Sequence, residues 1–274
     1  MKNTIQINDL RGMISQFAGK YPEKSGEKNV WREPLLSTAD LQGEKNRERF
    51  AALRKIAADD HLMPWELMPS AKSLIVFFLP FTKELARENH KGEIPCRNWG
   101  LTYESTNRLI GKICEYLRDK LENRGFGCEL TPATHNFDTV RLMARWSHKH
   151  LGYLAGLGKF GVNAQIITPS GCAGRMGSLV TEAETGDHPL VDARELCLHK
   201  AGYKCLVCVK RCPVGALSEK GTDRQKCWAR LNENLENTEE LRGMENTTHV
   251  CGKCQVLLPC SLKIPSPPSS DRNS

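Results

Sequence analysis

The sequence predicts two parts in series: a mixed α/β domain, then a small domain organised around cysteine-bound clusters. Three observations carry this expectation. Short apolar runs at 74–79, 126–130, 164–168 and 178–181 alternate with segments whose apolar residues repeat at helical spacing. Eight of the twelve cysteines fall between Cys197 and Cys260. Among them stands Cys205-x-x-Cys208-x-x-x-Cys212-Pro213, whose Cys-Pro ending marks the ferredoxin type of iron–sulfur run.

Residues 1–60 read as a helical segment. Asn8 or Asp9 is placed to cap a helix with Leu10, Met13, Ile14 and Phe17 on one face, and Phe50, Leu53, Ile56 and Ala57 form a second helical stripe. Between them, residues 25–38 are polar and broken by Pro34, which reads as loop. Residues 61–190 read as the α/β domain. Met63-Pro64-Trp65 opens a short helix with proline in its first turn. Leu74-Ile75-Val76-Phe77-Phe78-Leu79 suits a buried strand closed by Pro80, and the polar residues 83–98 read as surface loop. Ser105 or Thr106 then caps a helix with Leu109, Ile110, Ile113, Cys114, Leu117 and Leu121 on one face and Gly125 at its end. Cys114 is there a small core residue, and Cys96 and Cys128 have no partner at ligand spacing. Asp138 or Thr139 is expected to begin a helix running to Leu154, marked by Leu142, Met143, Trp146, His150, Tyr153 and Leu154. His148 and His150, two apart on it, cannot share a face as joint metal ligands. A glycine-rich turn at 171–177 precedes the strand at 178–181. Residues 191–263 hold the cysteines, and residues 264–274, rich in proline and serine, read as a disordered tail.

The cysteines point to metal. Thiolates at x2 spacing sit at the ends of one tight turn, so each turn supplies two corners of a site. Cys251-x-x-Cys254, with Cys260 beyond, forms the second group, and Cys227 lies between the two. The standard run carries a further cysteine three residues before Cys205, where this chain has Gly202; the nearest upstream thiol is Cys197. In the crossed pattern, the last cysteine of a run ligates the other cluster. That pattern assigns Cys197, Cys205, Cys208 and Cys260 to one [4Fe–4S] cluster, and Cys212, Cys227, Cys251 and Cys254 to the other. Structural zinc is the rival reading, since paired C-x2-C units also build four-cysteine zinc sites, and disulfides are a third.

No apolar run approaches the ~18 residues of a membrane span. The amino terminus lacks the apolar stretch of a signal peptide. Twelve cysteines in such a chain suggest metal binding in a reducing cytoplasm. The formal charge of +7 overstates the basicity: two four-thiolate cubanes at about −2 each would bring it to about +3. Lys and Arg are scattered, without the clustering of a nucleic-acid face.

Gly156-x-Gly158-x-x-Gly161 matches the dinucleotide-binding fingerprint in letters. That fingerprint requires a strand before it and a helix after it, whereas the order expected here is reversed. Three readings stay open: a dinucleotide turn, a purely structural turn, and a turn lying against a bound cofactor.

Taken together, Ala155-Gly156-Leu157-Gly158, Gly161 with Asn163, the glycine turn at 171–177 and the two cysteine groups resemble epoxyqueuosine reductases, and more distantly cobalamin-dependent reductive dehalogenases. Met68-Pro69-Ser70-Ala71-Lys72 resembles the family's early segment too, and the likeness covers residues 60–262. The resemblance implies a nitroreductase-like, corrinoid-binding α/β domain joined to a two-cluster ferredoxin-like domain. The clusters would feed electrons singly to a cobalamin cofactor held near Gly156, Gly158, Gly161 and Asn163. A cytoplasmic reductase of a small molecule is implied, with a ferredoxin or flavodoxin as electron donor. The departures are specific. Where the family reads Gly-Leu-Gly-Trp-Ile-Gly-Lys-Asn, this chain has Lys159, Phe160 and Val162 at the Trp, Ile and Lys positions. Leu142 stands at the family's catalytic Asp, and Asp138, four residues earlier, is the candidate substitute proton donor, with helix capping its alternative role. The helical-repeat extension of many relatives is not in this sequence, so transfer RNA is not the expected substrate. The alternative to an enzyme is an electron-transfer module without chemistry of its own.

Overall fold

The apolar run around Phe77 is a strand with no exposed residue, and the rest of the fold is layered on its two faces. The computed structural model describes residues 4–267. In chain order these form α1 (Ile7–Ser25), β1 (Leu35–Asp40), α2 (Glu44–Ala51), α3 (Leu53–Ile56), α4 (Pro64–Leu67), β2 (Ser73–Pro80), α5 (Lys83–His90), α6 (Arg97–Glu122), β3 (Cys128–Leu130), β4 (Phe137–Asp138), β5 (Met143–Ala144), α7 (His148–Leu154), β6 (Lys159–Phe160), β7 (Ile166–Ile167), β8 (Gly174–Thr181), α8 (Val207–Lys210), β9 (Leu217–Ser218), β10 (Gly221–Thr222) and α9 (Arg224–Asn237). The main sheet has the order β1-β2-β8-β3, and its pairings are antiparallel. β2 alternates between two cores. Ile75, Phe77 and Leu79 pack with α1 and α6, while Leu74, Val76 and Phe78 pack with Trp146, Leu151 and Leu157. Covering both faces is why an antiparallel strand here reads as a continuous apolar run rather than an alternating one. Burying each of these side chains is worth roughly 1.5–3 kcal/mol.

Four local expectations give way to tertiary structure. The segment 1–60 is not all helical: residues 35–40, within and just past the expected loop, form β1, paired with β2 in the register Leu36↔Phe77. Its Ser37 and Thr38 are buried, and their hydroxyls donate to the carbonyls of Ala155, His188 and Gly186. Those acceptors come from distant chain, so the strand looks polar in isolation. Residues 83–90 form α5 rather than surface loop, with the Thr82 hydroxyl accepting from the Leu85 amide. α6 starts at Arg97, not at Ser105 or Thr106. Both lie inside it and donate their hydroxyls to the Thr102 carbonyl, and Thr106 also accepts from the Trp31 indole. Finally, the helix expected from Asp138 is a β4–β5 hairpin followed by the short α7. Asp138 Oδ1 accepts from the amides of Val140 and Arg141, so its side chain folds a turn instead of capping a helix. Leu142 then adopts the left-handed φ of 54°, which a helix cannot contain.

The cysteine-rich segment is tied into the same core. Leu241, Val250 and Val256 pack with α1 and α6. Of the expected disordered tail, Ile264 packs against the Cys197 cluster of side chains and Pro265 is buried. The remainder, 268–274, lies outside the described residues. Among those residues no helix is long and apolar enough to cross a membrane.

Candidate functional site

The glycine segment is built by close approach of its own chain. Gly156 ends the α7 turn at φ 72°, its carbonyl accepts from the amides of Leu190 and Val191, and a Cβ there would lie 2.5 Å from Pro189 Cβ. A Cβ on Gly158 would lie 2.4 Å from the Ile167 carbonyl oxygen. These two glycines admit neighbouring backbone, and neither lines a cavity. The order around them is helix α7, turn, strand β6, so a helix N-terminus does not face the turn as dinucleotide binding requires. Gly161 and Asn163, by contrast, line both cavities described next.

The larger cavity has a volume of about 1050 Å³. Its floor is the 160–166 turn, the start of β8 and the residues around Trp146, and its far wall is the cysteine-rich segment. Five cysteines line it: Cys172 from the glycine turn, and Cys212, Cys227, Cys251 and Cys254 from the cysteine-rich segment. The other four of that segment, Cys197, Cys205, Cys208 and Cys260, surround a second cavity of only about 20 Å³. The twelve cysteines are all free. Among the described residues no three His, Cys, Asp or Glu side chains are poised to hold a single metal ion.

Each thiol group is held by polar side chains from distant elements. The stretch entering Cys251 is fastened by Glu104 of α6, which accepts from the Glu245 amide and the Thr248 hydroxyl. Asn234 of α9 donates to the Val250 carbonyl, and Asn89 of α5 to the Cys251 carbonyl. Lys253, between Cys251 and Cys254, is 1% exposed and drives its ammonium into the C-terminus of α5, donating to the carbonyls of Asn89 at 2.6 Å and Lys91 at 2.8 Å. α5 is therefore polar because its buried side anchors a cysteine turn. The Asn163 amide donates to the Cys254 carbonyl at 2.7 Å and approaches Cys172 Sγ at 3.7 Å. The amide of Ala216 donates to Cys212 Sγ at 3.2 Å.

Cys172 had no spacing signal in the sequence. It is buried, its Sγ lies 4.0 Å from Cys260 Sγ, and its amide donates to the Cys260 carbonyl. The glycine turn places it there: a Cβ on Gly171 would lie 2.3 Å from the Ser261 carbonyl oxygen.

The thiols are reluctant acids as they stand. Burial, then the nearby Cys260 and Cys197, pushes Cys208 up to about 11. Burial, then Cys251 and Cys212, does the same to Cys227. Cys254 is raised further by burial among Cys251, Cys227 and Cys212. Cys260 is raised by its contact with Cys172 and by burial. The mutual influences fall within the two groups of four, with one weak crossing from Cys208 to Cys254. Lys149 lines the larger cavity beside Cys254 and Cys227; burial lowers its affinity for a proton and those thiols raise it.

The cavity's histidines are already engaged. His148 is pinned between Ser178 Oγ at Nδ1 and the Pro132 carbonyl at Nε2, which requires the proton on Nε2. Burial brings it down to about 4. His150 Nδ1 meets Ser147 Oγ, and burial brings it also to about 4. Asp138 is exposed and absent from the cavity wall; the amides of Arg141 and Val140 and the Arg141 guanidinium hold its carboxyl below the usual range. Leu142 does line the cavity.

This architecture is a mixed α/β fold shared with reductases of known structure, although no family model and no curated protein matches the sequence. The likeness is to an epoxyqueuosine reductase with a TM-score of 0.51 at 14% identity, covering 96% of this chain and 72% of that one. A second epoxyqueuosine reductase, in a complex with an epoxyqueuosine-modified tRNA stem loop, gives 0.51 at 16% identity, covering 92% of this chain and 66% of that one. A catabolic reductive dehalogenase gives 0.51 at 13% identity, covering 84% of this chain and 30% of that one. The chain thus spans about two thirds of the reductases and under a third of the dehalogenase.

Proposed function

We propose that this protein is a cytoplasmic iron–sulfur oxidoreductase whose two [4Fe–4S] clusters are held by Cys197, Cys205, Cys208 and Cys260 and by Cys212, Cys227, Cys251 and Cys254. The observation that carries this reading is the gathering of eight thiols into two groups of four, one of them facing a cavity large enough for a substrate and cofactor. Such cavities usually measure ~300–1,000 Å³. The donor chemistry fits: an all-thiolate set suits iron–sulfur clusters, and cationic iron supplies what crowded, buried thiols need in order to ionise. Bound there, the clusters would supply single electrons to an acceptor in the cavity, delivered from a ferredoxin or flavodoxin. Residues 191–263 are then a ferredoxin-like domain. A corrinoid is the acceptor the cavity suits best by size. With Gly156 and Gly158 used for packing, Gly161, Asn163, Ala164 and Gln165 are the residues that would lie along it.

The chain's own residues have definite tasks in this scheme. Asn163 fixes the Cys254 carbonyl from the cavity side and lies between the two thiol groups. Lys149 balances the negative charge of the second group. Asp138 is bound in its turn and ionised at neutral pH, so it is poorly placed to deliver a proton to the cavity.

The test is anaerobic purification followed by metal analysis and cobalamin titration. About eight iron and eight sulfide per chain are expected, with zinc absent. Cobalamin should bind and change its spectrum on reduction. Zinc in place of iron defeats the cluster assignment; iron without any cobalamin binding at high micromolar concentration leaves an electron-transfer module as the better account.

Transfer RNA as substrate is a second reading, favoured by the solved reductase that holds a tRNA stem loop. Against it stand Leu142 and Val162 at positions where the resemblance calls for Asp and Lys. Expressed in cells lacking epoxyqueuosine reductase, this protein should leave tRNA at the epoxide stage; restored queuosine would establish the second reading.

A further inference from the structure

The larger cavity is one-sided in charge. Lys149, Arg175, Lys200, Lys220, Arg224 and Arg230 line it, with Glu219 the one carboxylate among its described residues. Most of these cations have evident work. Lys149 lies beside the Cys254 and Cys227 thiols. Arg230 pairs with Glu233 at 3.0 Å. Lys200 donates to the Phe160 carbonyl at 2.7 Å. Lys220 and Arg224 are exposed, in and just after the β9–β10 hairpin.

Arg175 is different. It stands on the first turn of chain in β8, and its guanidinium lies 4.2 Å above the centre of the Tyr103 ring. Burial opposes its charge, and among the described residues Tyr103 favours it, by its charge and by a side-chain hydrogen bond. Its Nε is shut off from solvent and has no hydrogen-bond partner. Its neighbours on the cavity wall include Tyr103, His135 and His148, none of them a carboxylate. The Tyr103 hydroxyl is occupied with Thr134 Oγ1 at 2.9 Å. The half-buried side chain thus keeps an Nε that neither water nor protein satisfies, and a cation–π contact returns ~2 kcal/mol at best. A fold has no reason to keep such a group unless something else completes it.

We propose that Arg175 is the counter-ion of a carboxylate-bearing ligand, which makes the substrate of the reductase an organic acid with a flat apolar body held in the aromatic-lined cavity. This rests on the reductase reading for the word substrate, but not for the binding site. A planar guanidinium lining an aromatic-walled cavity can match a carboxylate in two parallel hydrogen bonds, and the surrounding rings favour an unsaturated or ring-bearing acid over a phosphate ester. Arg175 is thus assigned as a specificity-determining residue; the electron-transfer groups lie elsewhere on the wall.

The experiment is calorimetric titration of the anaerobically purified holoprotein with benzoate, benzamide and inorganic phosphate. Benzoate should bind, and benzamide, of the same shape without charge, roughly 10- to 100-fold more weakly, the range expected for charge-assisted hydrogen bonds. Arg175→Gln should weaken benzoate to the level of benzamide, and Arg175→Lys should fall between. Because Arg175 has no ion pair to lose, Arg175→Gln without ligand should melt no lower than wild type; a merely structural guanidinium would lower it. Equal binding of benzoate and benzamide, unchanged benzoate binding by Arg175→Gln, no benzoate binding at tens of millimolar, or binding of phosphate alone each overturns the assignment. Should Arg175→Gln fail to fold, Arg175→Lys against benzoate decides alone: binding equal to wild type overturns it, and weakened binding supports it. Iron content and the cobalamin titration are read separately, so an absence of clusters defeats the reductase reading while leaving the carboxylate site to stand or fall on its own heats.

Discussion

The two thiol groups have similar composition and opposite surroundings. Cys197, Cys205, Cys208 and Cys260 close around a space of about 20 Å³, little more than one water needs. Cys212, Cys227, Cys251 and Cys254 face about 1050 Å³. The first group is enclosed by apolar and proline residues, among them Leu258, Pro259 and Pro265. The second is held by Asn89, Asn163, Asn234 and Lys253, reaching in from four separate parts of the chain. An enclosed group suits a relay, whereas an open one suits exchange of electrons with a bound molecule. With the proposed clusters bound, the first group would hand electrons to the second, and chemistry would take place beside the second.

The contrast breaks most visibly at the cysteines themselves. Cys254→Ala should remove about four iron per chain and all reductase activity, while Cys260→Ala should remove about four iron yet leave cobalamin binding near wild type. Iron analysis with electron paramagnetic resonance of each variant checks this; loss of all iron from either variant would show the groups to be one cooperative unit.

The next effect distinguishes the anchors. Lys253→Met leaves the α5 carbonyls and the Cys251 turn without their buried cation, and should destabilise the protein by roughly 3 kcal/mol, with loss of the second cluster before the first. Urea unfolding followed at the cluster absorption would reveal it. Unchanged midpoints would mean that the helix C-terminus contributes little to holding that turn.

A smaller effect comes from pH. His148 is buried and neutral, lowered to about 4 from an ordinary value of 6.5. Between these values the unfolded chain binds the proton and the folded one does not, so stability rises with pH there. The contribution, roughly 3 kcal/mol from this one group, is complete above pH 6.5 and is lost as pH falls towards 4. His148→Gln should flatten that slope in urea midpoints measured from pH 7 to pH 5. An equal slope in both proteins would place the sensitivity elsewhere, in the cluster ligands for instance.

The smallest effect is expected at Asp138. Asp138→Asn keeps a side-chain acceptor for the Val140 and Arg141 amides and should change stability by under ~1 kcal/mol, with turnover within about twofold of wild type. A large loss of turnover would return Asp138 to the chemistry and require the β4–β5 hairpin to move.

Much of this arrangement was legible in the residues. Cysteine spacing singled out eight thiols, and the fold brings them, together with Cys172, to the walls of two cavities. Phe77 and its neighbours announced a buried strand, and the order of helix, glycines and strand argued against dinucleotide binding. Spacing, periodicity and turn chemistry act over a few residues, so the sequence carries them openly. Other features were hidden because their reasons lie far away along the chain. β1 is concealed by Ser37 and Thr38, whose partners lie more than a hundred residues on. α5 is concealed by Asn89, which serves Cys251 from 162 positions away. The glycines at 156 and 158 were expected beside a cofactor, whereas the fold shows that they admit Pro189 and Ile167. Tertiary structure alone decided that Cys172 touches Cys260, that Lys253 caps a helix, and that Arg175 keeps an Nε without a partner. Local chemistry dictates which groups the chain can offer. Burial sets what they do, since it removes water as a partner and leaves each polar atom to whatever the folded neighbourhood supplies.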